Sequence, residues 1–282
     1  MPRFEYNNEK IRITHTIEET GPHPTLQYDF YENTFTITIV IRGKGTCYIE
    51  GDNYPLDDGS IVVCSPDDIH SFRFSQDGYH ERVSIYFSGA LLSGFAEHQL
   101  SLLRIFRDFN TKKKRVYQKD CYNEDVMSQI LDELCAVIKE DRMDMKDARI
   151  HVIFLRLLFI LYDCSQTNSD SCQNDSQNSV ISEICTYIKD HLNEQLSYKE
   201  IENRFFVSRY QLTSKFQHYV GMTLTEYVIQ RRLLNVASMV RNGSGIETAA
   251  YASGFNTYSH FYKEFLKYFH TSPKIYFSIN KE

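Results

Sequence analysis

The stretch that decides the fold is Gly245 to His270, GIETAAYASGFNTYSHFYKEFLKYFH. It repeats, in altered form, the earlier stretch Ser197 to Gly221, SYKEIENRFFVSRYQLTSKFQHYVG. In the earlier copy Leu212, Phe216, Tyr219 and Val220 are apolar at i, i+4, i+7 and i+8. In the later copy Phe261, Phe265, Tyr268 and Phe269 keep that spacing, 49 residues on. This is the period of a helix with one apolar face. Upstream, Ile201 corresponds to Ala249 at an offset of 48, so the later copy has one extra residue in its turn. Each copy predicts a short helix, a tight turn and a longer helix. A matched pair points to two helix-turn-helix units, about 197–220 and 246–269, rather than an ordinary bundle. Ser197 with Glu200 and Ser208 with Gln211 have the spacing of capping boxes. Gly254 stands where a helix end needs a left-handed residue.

The longer helices present polar stripes opposite their apolar ones. On the first these are Tyr210, Thr213, Ser214 and Gln217, with Arg209 at the N-terminal end; on the second they are Tyr258, Ser259, Tyr262 and Lys263. Such groups donate, accept and touch methyls, which is what base edges in the major groove offer. A polar stripe on a single helix is ordinarily a solvated face; the repeat shifts the reading toward DNA.

The segment IETAAYASGFNTYSHFYKEFLKYFHTSPKIYF closely resembles the second helix-turn-helix of AraC/XylS-type transcription regulators. The carrying elements are Ala249-Ala250, Gly254-Phe255, Phe261 to Phe265, and Phe269 through Ser272-Pro273 to Tyr276. The resemblance continues upstream through FVSRYQLTSKFQHYVGMTLTEYVIQRRL and covers about 180–279. It implies seven helices, with the two units joined by a long helix near Leu224 to Arg241. It also implies recognition helices in adjacent major grooves, about 34 Å apart. The family's base-reading positions fall on Arg209, Tyr210, Thr213 and Ser214, then Tyr258, Ser259, Tyr262 and Lys263. Helix N-termini and Arg231 or Arg232 are candidates for phosphate contact. Glu202 and Val236 depart from the pattern, standing where the family usually has Ala.

Upstream, Ser165 to Ser179 reads SQTNSDSCQNDSQNS, almost without apolar side chains. Burial cannot offset its ordering entropy, so a flexible linker is expected over 165–179, between a domain at 1–164 and one at 180–282. Net charge divides at the same place: −7 over 1–164, −2 over 165–179 and +3 over 180–282. A mildly basic last part permits nucleic-acid binding.

Within the first part, Phe35, Ile37, Ile39 and Ile41 alternate with Thr36, Thr38, Val40 and Arg42. Turn signals follow at Gly43-Lys44-Gly45, Gly51-Asp52-Asn53, Asp57-Asp58-Gly59 and Asp77-Gly78, the rhythm of a small antiparallel sandwich or barrel. Helices are expected over 122–139 and 147–162, with stripes Leu131, Leu134, Cys135, Ile138 and Ile150, Ile153, Phe154, Leu157, Leu158, Leu161. The second stripe is broad enough to serve either as core or as a dimer face. Lys112 to Arg115 is a basic run, read as a solvated loop or a phosphate-touching patch.

This first part resembles the cupin-like sensor domain of such regulators, through FTITIVIRGKGTCYIEGDNYPLDDGSIVVCSPDDIHSF. The fold expected is thus α+β in two domains: a cupin-like β-barrel with a helical dimerisation hairpin, then an all-α domain with two helix-turn-helix units. Metal-binding cupins carry His-x-His, a Glu and a later His. The corresponding slots here hold Phe30, Glu32 and Thr36, leaving only His70, so neither a metal nor another cofactor is expected and an enzyme is disfavoured. Tyr28, His70, His80 and Arg82 are the candidate lining of an organic effector's pocket, with satisfied barrel residues as the other reading.

Seven scattered Cys without a Cys-x-x-Cys pair argue for a reducing compartment. No signal peptide is read at the N-terminus. The longest apolar run, Val152 to Tyr162, is too short to span a bilayer. The reading is a cytoplasmic, sequence-specific DNA-binding regulator, an activator, with RNA polymerase and a second copy of the chain as partners. A small-molecule effector, a sugar among the candidates, is expected in the first domain. The alternatives are a first domain that only dimerises or binds a partner protein, and a cupin enzyme fused to a DNA-binding domain.

Overall fold

The computed structural model describes residues 2–19, 34–66, 68–75, 78–95, 102–106, 115–140, 144–166 and 179–279. The first half contains β1 (Pro2–Asn7), β2 (Ile11–Glu19), β3 (Phe35–Arg42), β4 (Gly45–Ile49), β5 (Asp52–Leu56), β6 (Ile61–Cys64), β7 (His70–Phe74), β8 (Tyr79–Phe87) and β9 (Val116–Tyr117). They form a six-stranded sheet, β1-β2-β8-β3-β6-β9, and a three-stranded sheet, β5-β4-β7. β3 shows why two layers close on each other. Phe35, Ile37 and Ile39 enter one core with the helices, while Val40 joins Cys47, Ile49, Phe72 and Phe74 of the smaller sheet. Thr36 and Thr38 are buried on that inner side, and Thr38 Oγ1 meets Ser84 Oγ at 3.3 Å. Through Val40 both sets of the alternation are therefore internal, and the period of two separates two cores rather than core from solvent.

The outer core is closed by α1 (Glu124–Lys139) and α2 (Lys146–Gln166). Asn123 caps α1, accepting from the amides of Asp125 and Val126 at 3.0 and 3.2 Å. α1 buries Met127, Ile130, Leu134 and Val137, so the expected stripe is rotated. Leu131 and Ile138 lie at its half-buried edge. The α2 stripe goes wholly into the core against the sheet. What α2 leaves exposed is Val152 and Phe159, with Met145 one heptad before. The basic run also needs correction. Lys112 to Lys114 lie outside the described residues, but Arg115 is buried and grips Asp68 with both guanidinium nitrogens, one at 2.8 Å.

Seven helices follow: α3 (Ser179–Asp190), α4 (Tyr198–Phe205), α5 (Arg209–Val220), α6 (Leu224–Arg241), α7 (Ile246–Ala252), α8 (Tyr258–Phe269) and α9 (Pro273–Ile279). Of the expected linker, Ser165 and Gln166 belong to α2 and Ser179 to α3; residues 167–178 lie outside the described residues. Both expected capping boxes form, and Thr223 with Glu226 makes a third at the start of α6. The two units have separate cores. α3 to α6 enclose Ile184, Ile201, Leu212, Phe216 and Tyr227; α6 to α9 enclose Val236, Ala249, Phe255, Phe261 and Phe265.

The turns of the two units differ in one telling residue. Gly254 has φ +91° and so little clearance that a Cβ there would sit 2.1 Å from the Leu192 carbonyl oxygen. The equivalent residue in the first unit, Phe206, also lies in the left-handed region, at φ 54°, with its ring 94% exposed. A bulky side chain there carries strain without a compensating contact.

The smaller sheet docks on the first unit, with α5 lying against β4 and β5. Ile69, just before β7, is buried among Ile181, Cys185 and Val220 of the helical half. Glu50, at φ 55° in the β4–β5 turn, reaches into the same interface. Its carboxylate accepts from Arg231, from Lys189 Nζ at 2.5 Å, from Tyr227 Oη at 3.2 Å and from the Ile69 amide at 2.5 Å. Burial pushes this carboxyl up, but Arg231 and Lys189 outweigh that and hold it down at about 2.

Two predictions follow from these contacts. Phe206→Gly should stabilise the chain by about 1 kcal/mol and Gly254→Ala should destabilise it by about 2 kcal/mol or more, read as opposite shifts of the urea midpoint. Because folding lowers the Glu50 pKa, its contribution is present above the unfolded value near 4.5 and is lost as pH falls toward 2. The stability gap between wild type and Glu50→Gln should thus be widest above about pH 5 and narrow below it, checked by urea titrations across that range.

Candidate nucleic-acid interface

Each polar stripe exists because its opposite face is sealed. α5 turns Leu212, Phe216 and Val220 into the first core, which leaves Arg209, Tyr210, Thr213, Ser214 and Gln217 exposed along one side. Tyr210 is 83% exposed and free to meet another surface. The Arg209 guanidinium lies 4.7 Å from the Tyr198 ring centroid, so a cation–π contact to α4 sets its direction. Ser208 and Gln211 fix the helix start reciprocally, at 3.3 and 3.2 Å. The N-terminal turn of α5 is thus rigid where its side chains are most exposed.

α8 is built alike. Phe261 and Phe265 are fully buried, while Ser259, Tyr262 and Lys263 face outward. Tyr258 is half-buried, its ring 5.4 Å from Phe261 and 6.3 Å from Tyr262. Burial, with Glu247 and Tyr262 adding to it, raises its hydroxyl pKa. The Thr257 hydroxyl caps this helix, accepting from the His260 amide at 3.2 Å.

The two phosphate candidates on α6 go elsewhere. Arg231 is 6% exposed and bonds Glu50 and, at 3.1 Å, the Tyr227 hydroxyl. Arg232 donates to the carbonyls of Leu192 at 3.1 Å and Glu194 at 2.8 Å, tying α6 to the segment after α3. Arg231 thus serves the interior of the fold, while Arg232, half-buried, is engaged by backbone carbonyls at the surface. Sequence reasoning missed Glu50 and Lys189. A lone acidic residue ahead of a Gly-Asp-Asn turn reads as a surface turn residue, and nothing local signals its distant partners.

Of the effector candidates, Tyr28 lies outside the described residues. The other three are buried on the inner side of the barrel. His80 stacks on Phe74 at 3.9 Å, the Arg82 guanidinium sits 5.3 Å from the Phe72 centroid, and His70 meets the edge of Phe72 at 5.9 Å. Burial, then the charge of Arg82, lowers the His80 pKa. His70 Nδ1 lies 3.2 Å from the Asp68 carbonyl, and its Nε2 has no hydrogen-bond partner among the described residues. Among the described residues no group of three or more His, Cys, Asp or Glu is placed to hold a metal ion, and no helix is long and apolar enough to cross a membrane.

Comparison with known proteins agrees with this architecture. The model of the AraC-like ligand binding domain matches residues 20–152, and a helix-turn-helix domain model matches 201–278. The transcriptional activator RhaS of Escherichia fergusonii is 23% identical over 258 residues, covering 90% of this chain and 87% of RhaS. The uncharacterized HTH-type regulator YfiF of Bacillus subtilis is 21% identical over 284 residues, covering 99% of this chain and 87% of YfiF. Among solved structures, ToxT from Vibrio cholerae aligns over 95% of this chain and 98% of its own, at 16% identity and a TM-score of 0.42. With a ligand-binding half of this type ahead of two matched helix-turn-helix units, the chain belongs to the AraC family of transcription regulators.

Proposed function

We propose that the chain is a cytoplasmic, effector-responsive activator that reads DNA through Arg209, Tyr210, Thr213, Ser214 and Gln217 of α5 and Tyr258, Ser259, Tyr262 and Lys263 of α8. The observation that carries this reading is the pair of sealed helices with exposed polar stripes, each rigidly capped at the end where those side chains begin. Activation, with RNA polymerase as the partner, is supported by the likeness to RhaS, which is named an activator. The effector is a small organic molecule, a sugar among the candidates, held inside the barrel near His70, His80 and Arg82. Polar groups enclosed among apolar walls are the usual means of orienting such a ligand. The role is regulatory and not catalytic.

The exposed row Met145, Val152 and Phe159 supports a homodimer. These residues recur every seven positions along one edge of the α1–α2 hairpin, beside a cavity of about 410 Å³ lined by Val137, Ala148 and Ile153. Exposed apolar side chains in such a row mark a contact face. The dimer therefore uses a face other than the broad stripe of α2, which the core consumes.

Selection from a random-sequence duplex pool should yield a defined site. Arg209→Ala or Lys263→Ala should then cost about 1–3 kcal/mol and relax preference at one position. Equal loss on every sequence would assign a phosphate role instead. Val152→Asp with Phe159→Asp should halve the mass found by sedimentation equilibrium; an unchanged mass would place the dimer face elsewhere.

A further inference from the structure

The interface between the barrel and the first helix-turn-helix unit holds a charge arrangement that neither DNA reading nor ligand binding uses. Glu50 is the first residue after β4, in a left-handed conformation that aims it out of the sheet. Its partners come from two different helices of the other half, Lys189 on α3 and Arg231 on α6. Tyr227, completely buried one turn before Arg231, donates to Glu50 and accepts from Arg231, closing the cluster. Around it, Ile69 is inserted in the core of the first unit, and the Cα of Gly51 faces Cys185 and Ile181 of α3. A buried carboxylate with such partners is costly to leave alone. Removing one member of a buried pair is strongly destabilising, because the other charge is stranded. The cluster therefore joins the halves in an all-or-none manner.

We propose that Glu50 is an interdomain latch that restrains DNA binding, and that its release frees the DNA-binding half. The inference rests on the DNA reading proposed above. The restraint is electrostatic and geometric. The latch holds a half of net charge −7 against one of +3, which lowers the positive potential that a phosphate backbone meets on approach. Glu50 also neutralises Lys189 and Arg231, two of the cations in the basic half. The recognition stripes themselves are exposed in the latched state, so the latch lowers affinity without covering them. The barrel strands β4, β5 and β7 that carry this contact are also the strands that hold His70, Phe72 and Phe74 on their inner side. A shift of that sheet moves Glu50 directly.

The test uses the full chain and one natural thiol. A Cβ built on Gly51 lies 3.3 Å from Cys185 Sγ, so Gly51→Cys brings a thiol within disulfide reach across the latch; the strain of a side chain at φ +90° is common to the oxidised and reduced forms compared, and the bond is verified by peptide mass mapping. Affinity is measured on a duplex that wild type selects from a random-sequence pool. Glu50→Gln should bind roughly fivefold tighter or more, the lower end of allosteric couplings. It should also slow disulfide formation in the Gly51→Cys background several-fold. The oxidised double variant Glu50→Gln with Gly51→Cys should return to wild-type affinity, and reduction should restore tight binding. The proposal is overturned if Glu50→Gln leaves affinity and disulfide rate unchanged. It is equally overturned if the oxidised double variant binds as tightly as the reduced one, since the gain would then come from the lost charge alone. A wild type that selects no sequence defeats the DNA reading, while the disulfide rate still decides whether Glu50 holds the halves together.

Discussion

Sealing one face of a short helix is the constraint on which the molecule depends. α5 and α8 are each 12 residues long, too short to persist alone in water. Their existence follows from burying Leu212, Phe216 and Val220 in one case and Phe261 and Phe265 in the other. The same burial fixes rotation about the helix axis, and with it which polar side chains point outward. Capping then fixes the ends. The polar stripes are thus a by-product of packing: the side chains offered to a partner are those the core has no use for.

The first half obeys a related rule with two cores in place of one. The six-stranded sheet is covered by helices on one side and by the smaller sheet on the other, so few of its side chains meet water. Polar groups in the barrel are then conspicuous. Burial and then the charge of Arg82 lower the His80 pKa, and Arg82 itself lies over Phe72. An interior of this kind is apolar in shape and polar at a few points.

Local patterns carried most of the helical half. The period of Leu212, Phe216 and Val220, the spacing of Ser208 and Gln211 and the glycine at 254 all concern residues within a few positions of each other, and all appear in the structure as read. Long-range partnerships were illegible. Nothing near Arg231 in sequence announces Glu50, which is 181 positions away. The α1 stripe failed for a milder reason. Its apolar residues wrap more than one face, and only the position of the sheet decides that Met127 and Ile130, rather than Leu131 and Cys135, turn fully inward. The α2 stripe was legible as apolar but ambiguous in purpose until the sheet was seen to consume it.

The separateness of the two small cores has a consequence for how such a chain diverges. Among the described residues the second core draws on residues from 229 to 277, whereas the first also takes Ile69 from the barrel. A change on the outer face of α8 can therefore accumulate without touching the contact with the barrel, while a change in α5 is tested against that contact as well. One module is at liberty to drift; its twin is anchored by a second obligation.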